Sequence, residues 1–517
     1  MENNADTRSK VRNSVRNIWY SGGEYVIVQG LRLLNRYIFI RTMSQEYLGI
    51  GGLFTNILTI LSLAELGVTD ALNYAMYEPV KNGDIALVRS VLGLCRKYYY
   101  RIGIAVLVIG SLFMPFLPAL LSDIPDDMPF FYLYYLLFVM HSGISYFFSY
   151  KRTLLFCQQR QYLISGAQTV SQIILMLVQA WALIFTKSYA LYLFAVIVMN
   201  VAENLMISQI ADREYPWILE KNEEPIPQEM RQQIIKNTFA MLVHKIAWVV
   251  LTATDNLLIA RFVSLAAVGA YSNYTLLVGR LTDFVKRIFS GMLASVGNLV
   301  LSEEKEYVEC VFQRMLFLNF WIYSFCTVGL LCLIQPFIKI FAGESYLLGT
   351  GTVLVILANF YILGMRETVL SFWSAAGVFS KDRYKPVIES MLNLGLSVWL
   401  GRKYGITGIL IGTLLSVGVV AFWIEGYLVY KHLFHKRIWG YAGRQIGYLG
   451  ITIFMGGVTW WMCSKVAANG VGSFLFRAVI CLVLPNGMIW GMFHKTEEGK
   501  YYKSLFLKAV RKGIEKE

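Results

Sequence analysis

The chain alternates long apolar runs with short polar loops. Most runs reach the roughly 20 residues that an α-helix needs to cross the hydrocarbon core of a bilayer. Because lipid offers no partner for backbone polar groups, the pattern predicts an all-α polytopic membrane protein. Fourteen spans are predicted, near 17–41, 48–77, 90–121, 129–150, 162–185, 189–211, 237–260, 267–300, 307–334, 348–375, 386–401, 405–430, 441–464 and 471–492.

The layout repeats after 220 residues. In both copies the first span follows a basic residue, ends in an arginine and turns directly into a long second span. The shift superposes identical residues: Asn17 on Asn237, Leu31 on Leu251, Arg41 on Arg261, Ser44 on Ser264, Gly49 on Gly269, Thr55 on Thr275 and Leu61 on Leu281. We therefore predict two pseudo-symmetric six-helix lobes followed by two C-terminal helices.

Polar segments suggest where these parts begin and end. The loop between spans 6 and 7 carries both signs of charge and three prolines, as expected of a linker on the cytoplasmic side. The predicted parts are an N-lobe at 1–211, a cytoplasmic inter-lobe linker at 212–236, a C-lobe at 237–430, an interfacial linker with spans 13 and 14 at 431–492, and a basic amphipathic cytoplasmic tail at 493–517.

Composition agrees with a membrane protein. The 517 residues are 56% hydrophobic and only 15% charged, and the mean hydropathy is +0.52. The net charge of +14 is expected on cytoplasmic loops that face anionic lipid, and we do not expect nucleic-acid binding. With the N-terminus inside, most lysines and arginines outside the spans lie on the inner side, so both termini are predicted to be cytoplasmic.

The N-terminus lacks the apolar core and the cleavage site of a signal peptide, so the first span is predicted to act as the insertion signal. The seven cysteines lie in or beside apolar spans, without a CxxC pair or a histidine at ligand spacing. We expect them to be small core residues and predict neither disulfides nor a metal site.

The first span carries charges that a lipid-facing helix would not tolerate. Glu24, Arg32 and Arg36 lie inside it, and each costs about 2.5 to 3.5 kcal/mol at the bilayer centre. Arg32 and Arg36 are about 40° apart around the helix and Glu24 is about 80° from Arg32, so they share one side. The alternatives are snorkelling or helix-to-helix ion pairs, and a water-filled cavity that holds an anion.

Other cations also lie deep inside the predicted spans. Five of the six deepest belong to spans 1, 7, 8 and 10. Two six-span halves enter the membrane in the same direction, so we expect span 1 to face span 7 across an axis along the membrane normal. The deep cations are then expected to meet at the midline, where a transporter places its substrate.

Titratable groups suggest ion coupling. His244 and Asp255 are eleven residues apart and share a face of span 7, where they are expected to bind a proton or a sodium ion. The alternative is that Asp255 pairs with a cavity arginine. Glu24 and Glu65 are weaker candidates for the same role. No cofactor is expected apart from Na⁺ or H⁺ as the coupling ion.

Two stretches carry a family resemblance. EYLGIGGLFTNILTILSLAELGVTDALNYAMYEPV at 46–80 and MLNLGLSVWLGRKYGITGILIGT at 391–413, with the fourteen-span layout, resemble the polysaccharide flippases of the multidrug/oligosaccharidyl-lipid/polysaccharide exporter superfamily. The resemblance implies two lobes around an arginine-bearing central cavity that alternates between membrane faces. It also implies that an undecaprenyl-diphosphate-linked oligosaccharide is moved from the inner to the outer leaflet of the bacterial cytoplasmic membrane. In the lipid II branch of the superfamily, spans 13 and 14 line a groove for the lipid tail.

The chemistry of such a cargo suits the charged residues. Guanidinium groups grip diphosphate oxygens bidentately, and polar sugars need a hydrated path. We predict that the positive field comes from Arg32, Arg36, Arg41, Lys245, Arg261, Arg280 and Arg366. We predict sugar contacts from Tyr25, Asn35, Asn256, Asn273 and Tyr274. Membrane lipids are the other expected partner, with a polysaccharide polymerase or glycosyltransferases as candidate protein partners.

Two other functions are open at this point. A multidrug or organic-cation antiporter shares the fold, but it would favour deep acids over deep cations, and the twelve-span drug exporters lack spans 13 and 14. A membrane polysaccharide polymerase or glycosyltransferase would need a larger outer loop or a catalytic acidic pair, and the outer acidic cluster at 123–127 reads as a turn. No P-loop, HExxH or nucleophile elbow appears in a supporting context, so we predict that the protein is not an enzyme.

Overall fold

A computed structural model of the chain describes residues 28–61, 68–121, 128–158, 160–220, 226–375, 385–466 and 470–514. Within these ranges the regular elements are helices and none is a strand, which confirms the predicted all-α fold class. Nine of the described helical segments are long and apolar enough to cross a membrane. The chain is therefore a multi-pass membrane protein.

The described residues of the first half form eight helices. Asp84 starts the fourth by accepting a hydrogen bond from the Leu87 amide at 2.9 Å, and prolines then convert its end into a 3₁₀ turn. The helices are α1 (28–42), α2 (Gln45–Leu61), α3 (Val68–Asn82), α4 (Ile85–Phe113, with a 3₁₀ turn at Met114–Leu120), α5 (Phe131–Ser149), α6 (Arg152–Cys157), α7 (Gln161–Trp181, with a π turn at Ala182–Thr186) and α8 (Tyr189–Glu214).

Ten further helices follow in the described part of the second half. They are α9 (Gln228–Phe262), α10 (Leu265–Ser302), α11 (Lys305–Phe341), α12 (Thr350–Gly364), α13 (Glu367–Ala375), α14 (Lys385–Ser416, with a π turn at Val417–Ala421), α15 (Phe422–Val429, with a π turn at Tyr430–Phe434), α16 (Trp439–Ser464), α17 (Gly470–Phe493) and α18 (Glu497–Ile514). Gly405 breaks α14 with φ 57° and ψ −135°, a conformation that glycine adopts readily. This break separates the two predicted spans at 386–401 and 405–430.

The helix boundaries reproduce the predicted repeat. Equivalent helices begin and end 220 residues apart, which supports two pseudo-symmetric halves followed by two C-terminal spans. The matching positions are the ends of α1 and α9 at 42 and Phe262, the starts of α2 and α10 at Gln45 and Leu265, the N-caps of α4 and α11 at Asp84 and Glu304, and the last helical residues of the two halves at Glu214 and Phe434.

Contacts divide the chain into two compact units, Met1–Gly269 and Ala270–Glu517. The division falls inside α10, so the first unit contains α9, which packs on α2 and α3. The predicted lobe and linker boundaries follow the sequence repeat rather than these contacts, and they stay a prediction.

Each unit has its own core. In the first unit, α3, α4 and α6 surround buried Leu72, Val91 and Leu154. Ion pairs then join α4, α6 and α7 to the end of α8 and the turn after it: Arg89 with Glu220, Lys151 with Asp212 at 2.6 Å, Arg152 with Glu203 at 2.5 Å, and Arg160 with Glu214 at 3.1 Å. In the second unit, aromatic side chains of α11 form the centre of the core, including Phe312 and Phe320.

Candidate functional site

The cation-bearing face of α1 lies against α7 and α8. Asn35 donates a hydrogen bond from Nδ2 to Oε1 of Gln179 on α7 at 2.5 Å. One residue later, the guanidinium of Arg36 is close enough to Tyr189 and Tyr192 of α8 to interact with both electrostatically. Arg32, one turn earlier, is exposed. Two predicted ligands, Asn35 and Arg36, therefore share one polar site in the first unit.

Aromatic rings surround this site. The tyrosine cluster consists of Tyr47, Tyr134, Tyr189 and Tyr192, contributed by α2, α5 and α8. Ring centroids of Tyr189 lie 5.1 Å from Tyr47, 5.0 Å from Tyr134 and 5.8 Å from Tyr192. Phe39 of α1 packs edge-on against Tyr189 and Tyr192. Sequence reasoning did not select these tyrosines, because nothing local indicates that three distant spans converge.

The two repeats touch through a reciprocal glycine contact. A Cβ atom on Gly49 would lie 2.0 Å from the carbonyl oxygen of Leu265, and one on Gly269 would lie 2.2 Å from that of Gln45. Both pairs are related by the 220-residue shift, since Gln45 corresponds to Leu265 and Gly49 to Gly269. Such reciprocity is the signature of a twofold contact. Only glycine allows the first turns of α2 and α10 to approach this closely.

A polar turn of α9 faces α2. Asn56 of α2 donates to the carbonyl oxygen of Ala253 at 3.0 Å. The next residues along α9 include Asp255 and Asn256, and the Oδ1 atom of each is buried without a hydrogen-bond partner. The alternative prediction, an Asp255–arginine pair, has no counterpart among the ion pairs of the described residues. The role of Asp255 in ion coupling stays a prediction.

The remaining predicted cations have local partners. Arg261 donates from Nη1 to the carbonyl oxygen of Leu121 at 2.9 Å, where the 3₁₀ turn after α4 ends. The guanidinium carbon of Arg41 lies 5.3 Å from the ring centroid of Tyr37. In the second unit, Arg280 pairs with Asp283 at 3.5 Å, one turn along α10. These contacts orient the three side chains, and their predicted contacts with cargo stay predictions.

Two predicted sugar ligands are buried in the second unit. The Tyr274 hydroxyl donates to Oε1 of Gln335 at 2.8 Å and accepts from the Leu348 amide at 3.0 Å. Its neighbour Asn273 is also buried. Because the hydroxyl of Tyr274 is already engaged, this conformation uses it to join α10, α11 and the segment before α12. Its sugar contact stays a prediction that requires rearrangement.

Arg366 belongs to a buried ion cluster that we define as Arg366, Lys385, Glu389 and Glu425. Its Nε and Nη2 atoms donate to the two carboxylate oxygens of Glu425 at 2.8 and 2.7 Å. Lys385 also contacts Glu425, and Glu389 lies 3.7 Å from Arg366. The formal charges balance. Arg366 is therefore a partner of carboxylates in this state, and its predicted contact with cargo is untested.

An apolar groove crosses the second unit. It has a volume of about 500 Å³ between α11, α12, α14 and α16, with Leu357, Trp423 and Ile453 among its lining residues. Thr327 and Gln445 bring polar atoms without hydrogen-bond partners to the same groove. The groove can take an apolar chain and offers a few polar contacts along it. Of its helices, α16 corresponds to span 13.

Other predicted residues cannot be placed in this way. Glu24, Tyr25 and Glu65 lie outside the described residues. His244 and Lys245 belong to α9, but their side chains are not among those described. The predicted roles of these five residues stay predictions.

No family model and no curated protein matches this sequence. Solved structures do match its fold. The lipid II flippase MurJ in an inward closed conformation aligns with a TM-score of 0.67 at 13% identity, covering 92% of this chain and 99% of the other. An inward-facing multidrug resistance MATE transporter aligns with a TM-score of 0.58 at 14% identity, covering 76% and 91%.

A third similar structure is a transporter of the same superfamily from Pyrococcus furiosus, whose binding pocket is described as reversed in polarity. It aligns with a TM-score of 0.52 at 12% identity, covering 79% of this chain and 93% of the other. The chain therefore has the fold of the multidrug/oligosaccharidyl-lipid/polysaccharide exporter superfamily, in line with the predicted resemblance. The solved proteins of this fold that it matches are transporters rather than enzymes.

Proposed function

We propose that this protein flips an undecaprenyl-diphosphate-linked oligosaccharide from the inner to the outer leaflet of a bacterial cytoplasmic membrane. Transport proceeds by alternating access along a cationic, hydrated path and is coupled to a proton gradient, a sodium gradient or the membrane potential. The observation that carries this proposal is that one chain contains both an arginine beside a cluster of tyrosines and an apolar groove. A soluble anion would need only the first, and an ordinary lipid only the second.

The site for the head is supported by Arg36 and the tyrosine cluster. A guanidinium group forms two parallel charge-assisted hydrogen bonds with phosphate oxygens, which a lysine cannot reproduce. Tyrosine offers an apolar ring face together with a hydroxyl group, and the two suit the mixed surface of a sugar. Arg36 interacts electrostatically with Tyr189 and Tyr192, so phosphate and the first sugar would be held side by side.

The apolar groove supports a site for the tail. Each buried CH₂ group contributes about 0.8 kcal/mol when it leaves water, but it gains almost nothing when it leaves lipid. The groove would therefore guide the prenyl chain rather than supply the affinity. Specificity would come from the head, and the groove would keep the tail alongside the protein while the head crosses.

We attribute the opening and closing of the transport path to the two sequence repeats. The reciprocal contact of Gly49 and Gly269 holds the starts of α2 and α10 together, at what the predicted orientation makes the outer end of the spans. Alternating access requires that this contact separates when the head leaves outward. A contact made of glycine backbone has no interlocked side chains, so it can separate and re-form without repacking a core.

A multidrug antiporter is the second candidate, and Asp255 is the observation that favours it. A buried carboxylate oxygen without a hydrogen-bond partner suits an organic cation as well as a coupling proton. The two functions predict opposite mutational results. A dye-efflux assay in cells should depend on Asp255 and not on Arg36 if the protein exports drugs.

The proposal is tested by binding. Purified protein in detergent is titrated with a fluorescent undecaprenyl-diphosphate oligosaccharide, for the unmodified chain, Arg36→Ala, Arg36→Lys and Arg213→Ala. Arg213 is an exposed arginine near the end of α8 and serves as the matched control. We expect Arg36→Ala to weaken binding at least tenfold, Arg36→Lys to recover part of it and Arg213→Ala to match the unmodified chain, because a charged hydrogen bond contributes about 1.5 to 3 kcal/mol. Equal affinity of all four proteins would contradict the proposal.

A further inference from the structure

Three cysteines that are far apart in the sequence meet in the second unit. Cys332 of α11, Cys463 of α16 and Cys481 of α17 are all buried, with exposed fractions of 4%, 2% and 3%. Their sulfur atoms all lie within 4.8 Å of one another, and those of Cys463 and Cys481 are 3.9 Å apart. The sequence predicted small core cysteines that form neither disulfides nor a metal site. The convergence is a property of the folded chain that no local spacing indicates.

These separations fit a shared metal ion. Zinc–sulfur bonds are about 2.3 Å long, so sulfur ligands in a trigonal or tetrahedral arrangement stand about 3.8 to 4.0 Å apart. The distance between Cys463 and Cys481 already falls in this range. Cys332 would need only a small side-chain adjustment, since its sulfur lies within 4.8 Å of both others. A disulfide would require the sulfur atoms to approach to about 2.05 Å and would leave the third cysteine unused.

A basic side chain stands beside the three sulfur atoms. Arg477 precedes Cys481 by one turn of α17 and interacts electrostatically with both Cys463 and Cys481. Its Nη2 atom donates to the carbonyl oxygen of Val466 at 2.8 Å, whereas its Nε atom is buried without a partner. Three thiolates around a divalent cation carry one net negative charge, which this guanidinium would neutralise.

We propose that Cys332, Cys463 and Cys481 form a binding site for a soft, thiol-seeking divalent cation, with Zn²⁺ as the natural occupant. Thiolate ligands select such ions over calcium and magnesium, which prefer oxygen. Binding releases the three thiol protons and forms three metal–sulfur bonds without any change of oxidation state. The ion would join α16 and α17 to α11 and so fix the two C-terminal spans to the rest of the second unit.

A cavity lies near the three cysteines. It has a volume of about 230 Å³ between the end of α11 and the start of α17, and Arg477 and Lys339 are among its lining residues. Arg477 therefore borders this cavity and also interacts with Cys463 and Cys481. The proposal is independent of the transported cargo, because it concerns neither the polar site of the first unit nor the apolar groove.

Metal content tests the proposal. Full-length protein in detergent is reduced, stripped with a chelator, loaded with Zn²⁺ or with Cd²⁺ and desalted, and bound metal is measured by mass spectrometry and by cadmium–thiolate absorption. We expect one ion per chain for the unmodified protein and for Cys326→Ser, a buried cysteine of α11 outside the cluster. We expect loss of that ion and of the absorption in the Cys463→Ser/Cys481→Ser variant.

A second measurement uses the unmodified protein, so it does not depend on whether the variants fold. Alkylation of each cysteine in the unmodified protein is followed by peptide mass spectrometry with and without Zn²⁺. Slower labelling of the three clustered cysteines, with unchanged labelling of Cys326, supports the site. The proposal is overturned if no stoichiometric ion is retained, if the ion persists in the double variant, if Zn²⁺ protects no cysteine of the cluster, or if the untreated protein contains a Cys463–Cys481 disulfide.

Discussion

Buried polar side chains in this protein fall into two kinds, and Arg366 and Tyr274 show the first. Their polar atoms are matched within the second unit, by Glu425 in one case and by Gln335 and Leu348 in the other. Arg36 and Asp255 show the second kind: Arg36 is half-buried beside Tyr189 and Tyr192, and one carboxylate oxygen of Asp255 is buried without a hydrogen-bond partner. The distinction matters because the sequence assigned all four to binding on the same ground, namely that they are polar groups inside apolar spans.

We expect the removal of Arg366 to lower the stability of the protein. The effect on transport by the molecules that still fold should be smaller. Arg366→Ala leaves buried Glu425 with less compensation, and breaking a buried ion pair costs about 3 to 5 kcal/mol. Thermal unfolding in detergent should show a clear fall in Tm. Arg366→Lys keeps a positive charge beside Glu425 and should therefore lose less stability than Arg366→Ala. Equal Tm values for the unmodified and Arg366→Ala proteins would show that the ion pair is not structural.

Two tyrosines of the second unit provide a matched pair. Tyr274→Phe removes both hydrogen bonds of its hydroxyl and should cost about 1 to 3 kcal/mol of stability, because Gln335 and Leu348 lose a buried partner. The Tyr323 hydroxyl is equally buried but has no partner, so Tyr323→Phe should be neutral or stabilising. Thermal unfolding of the two variants measures the difference. Identical shifts would contradict the structural role given to Tyr274.

At the scale of elements, the sequence predicts what is local and misses what is not. Hydropathy places the spans, the shift of 220 residues relates the halves, and the interruption before 405 separates spans 11 and 12. Which helices touch is set by packing, since lipid tails are as apolar as the side chains and give no preference. The contact of α9 with α2, the tyrosine cluster, the carboxylates around Arg366 and the three clustered cysteines are therefore found only in the folded chain.

The reciprocal glycine contact makes a symmetric prediction. Gly49→Ala and Gly269→Ala each place a Cβ atom within about 2 Å of backbone oxygen, so each should keep the starts of α2 and α10 apart. We expect both variants to insert into the membrane and both to lose most transport, to a similar degree. Gly279→Ala, also on α10 but with open space around its Cβ, is the control. A complementation assay in a flippase-deficient strain measures all three, and normal growth with either contact variant would contradict the account.

At the scale of the whole molecule, Asp255 is the residue predicted to couple transport to a proton or sodium gradient. Asp255→Asn keeps the size of the side chain but cannot take up a proton or neutralise a cation. We expect this variant to flip substrate down its own concentration gradient while losing the increase that an imposed proton or sodium gradient produces in the unmodified protein. The measurement is flipping in proteoliposomes with and without each gradient. Full stimulation of Asp255→Asn would remove this residue from the coupling mechanism.

The rate at which the protein moves a lipid-linked oligosaccharide between leaflets is the direct test of the proposed function. Proteoliposomes are prepared with a fluorescent undecaprenyl-diphosphate oligosaccharide, and the fraction that an external quencher reaches is followed over time for the unmodified protein, Arg36→Ala and Arg213→Ala. The account predicts rapid exchange between leaflets with the unmodified protein and Arg213→Ala, and a rate near that of protein-free vesicles with Arg36→Ala. No exchange with the unmodified protein, or undiminished exchange with Arg36→Ala, would contradict it.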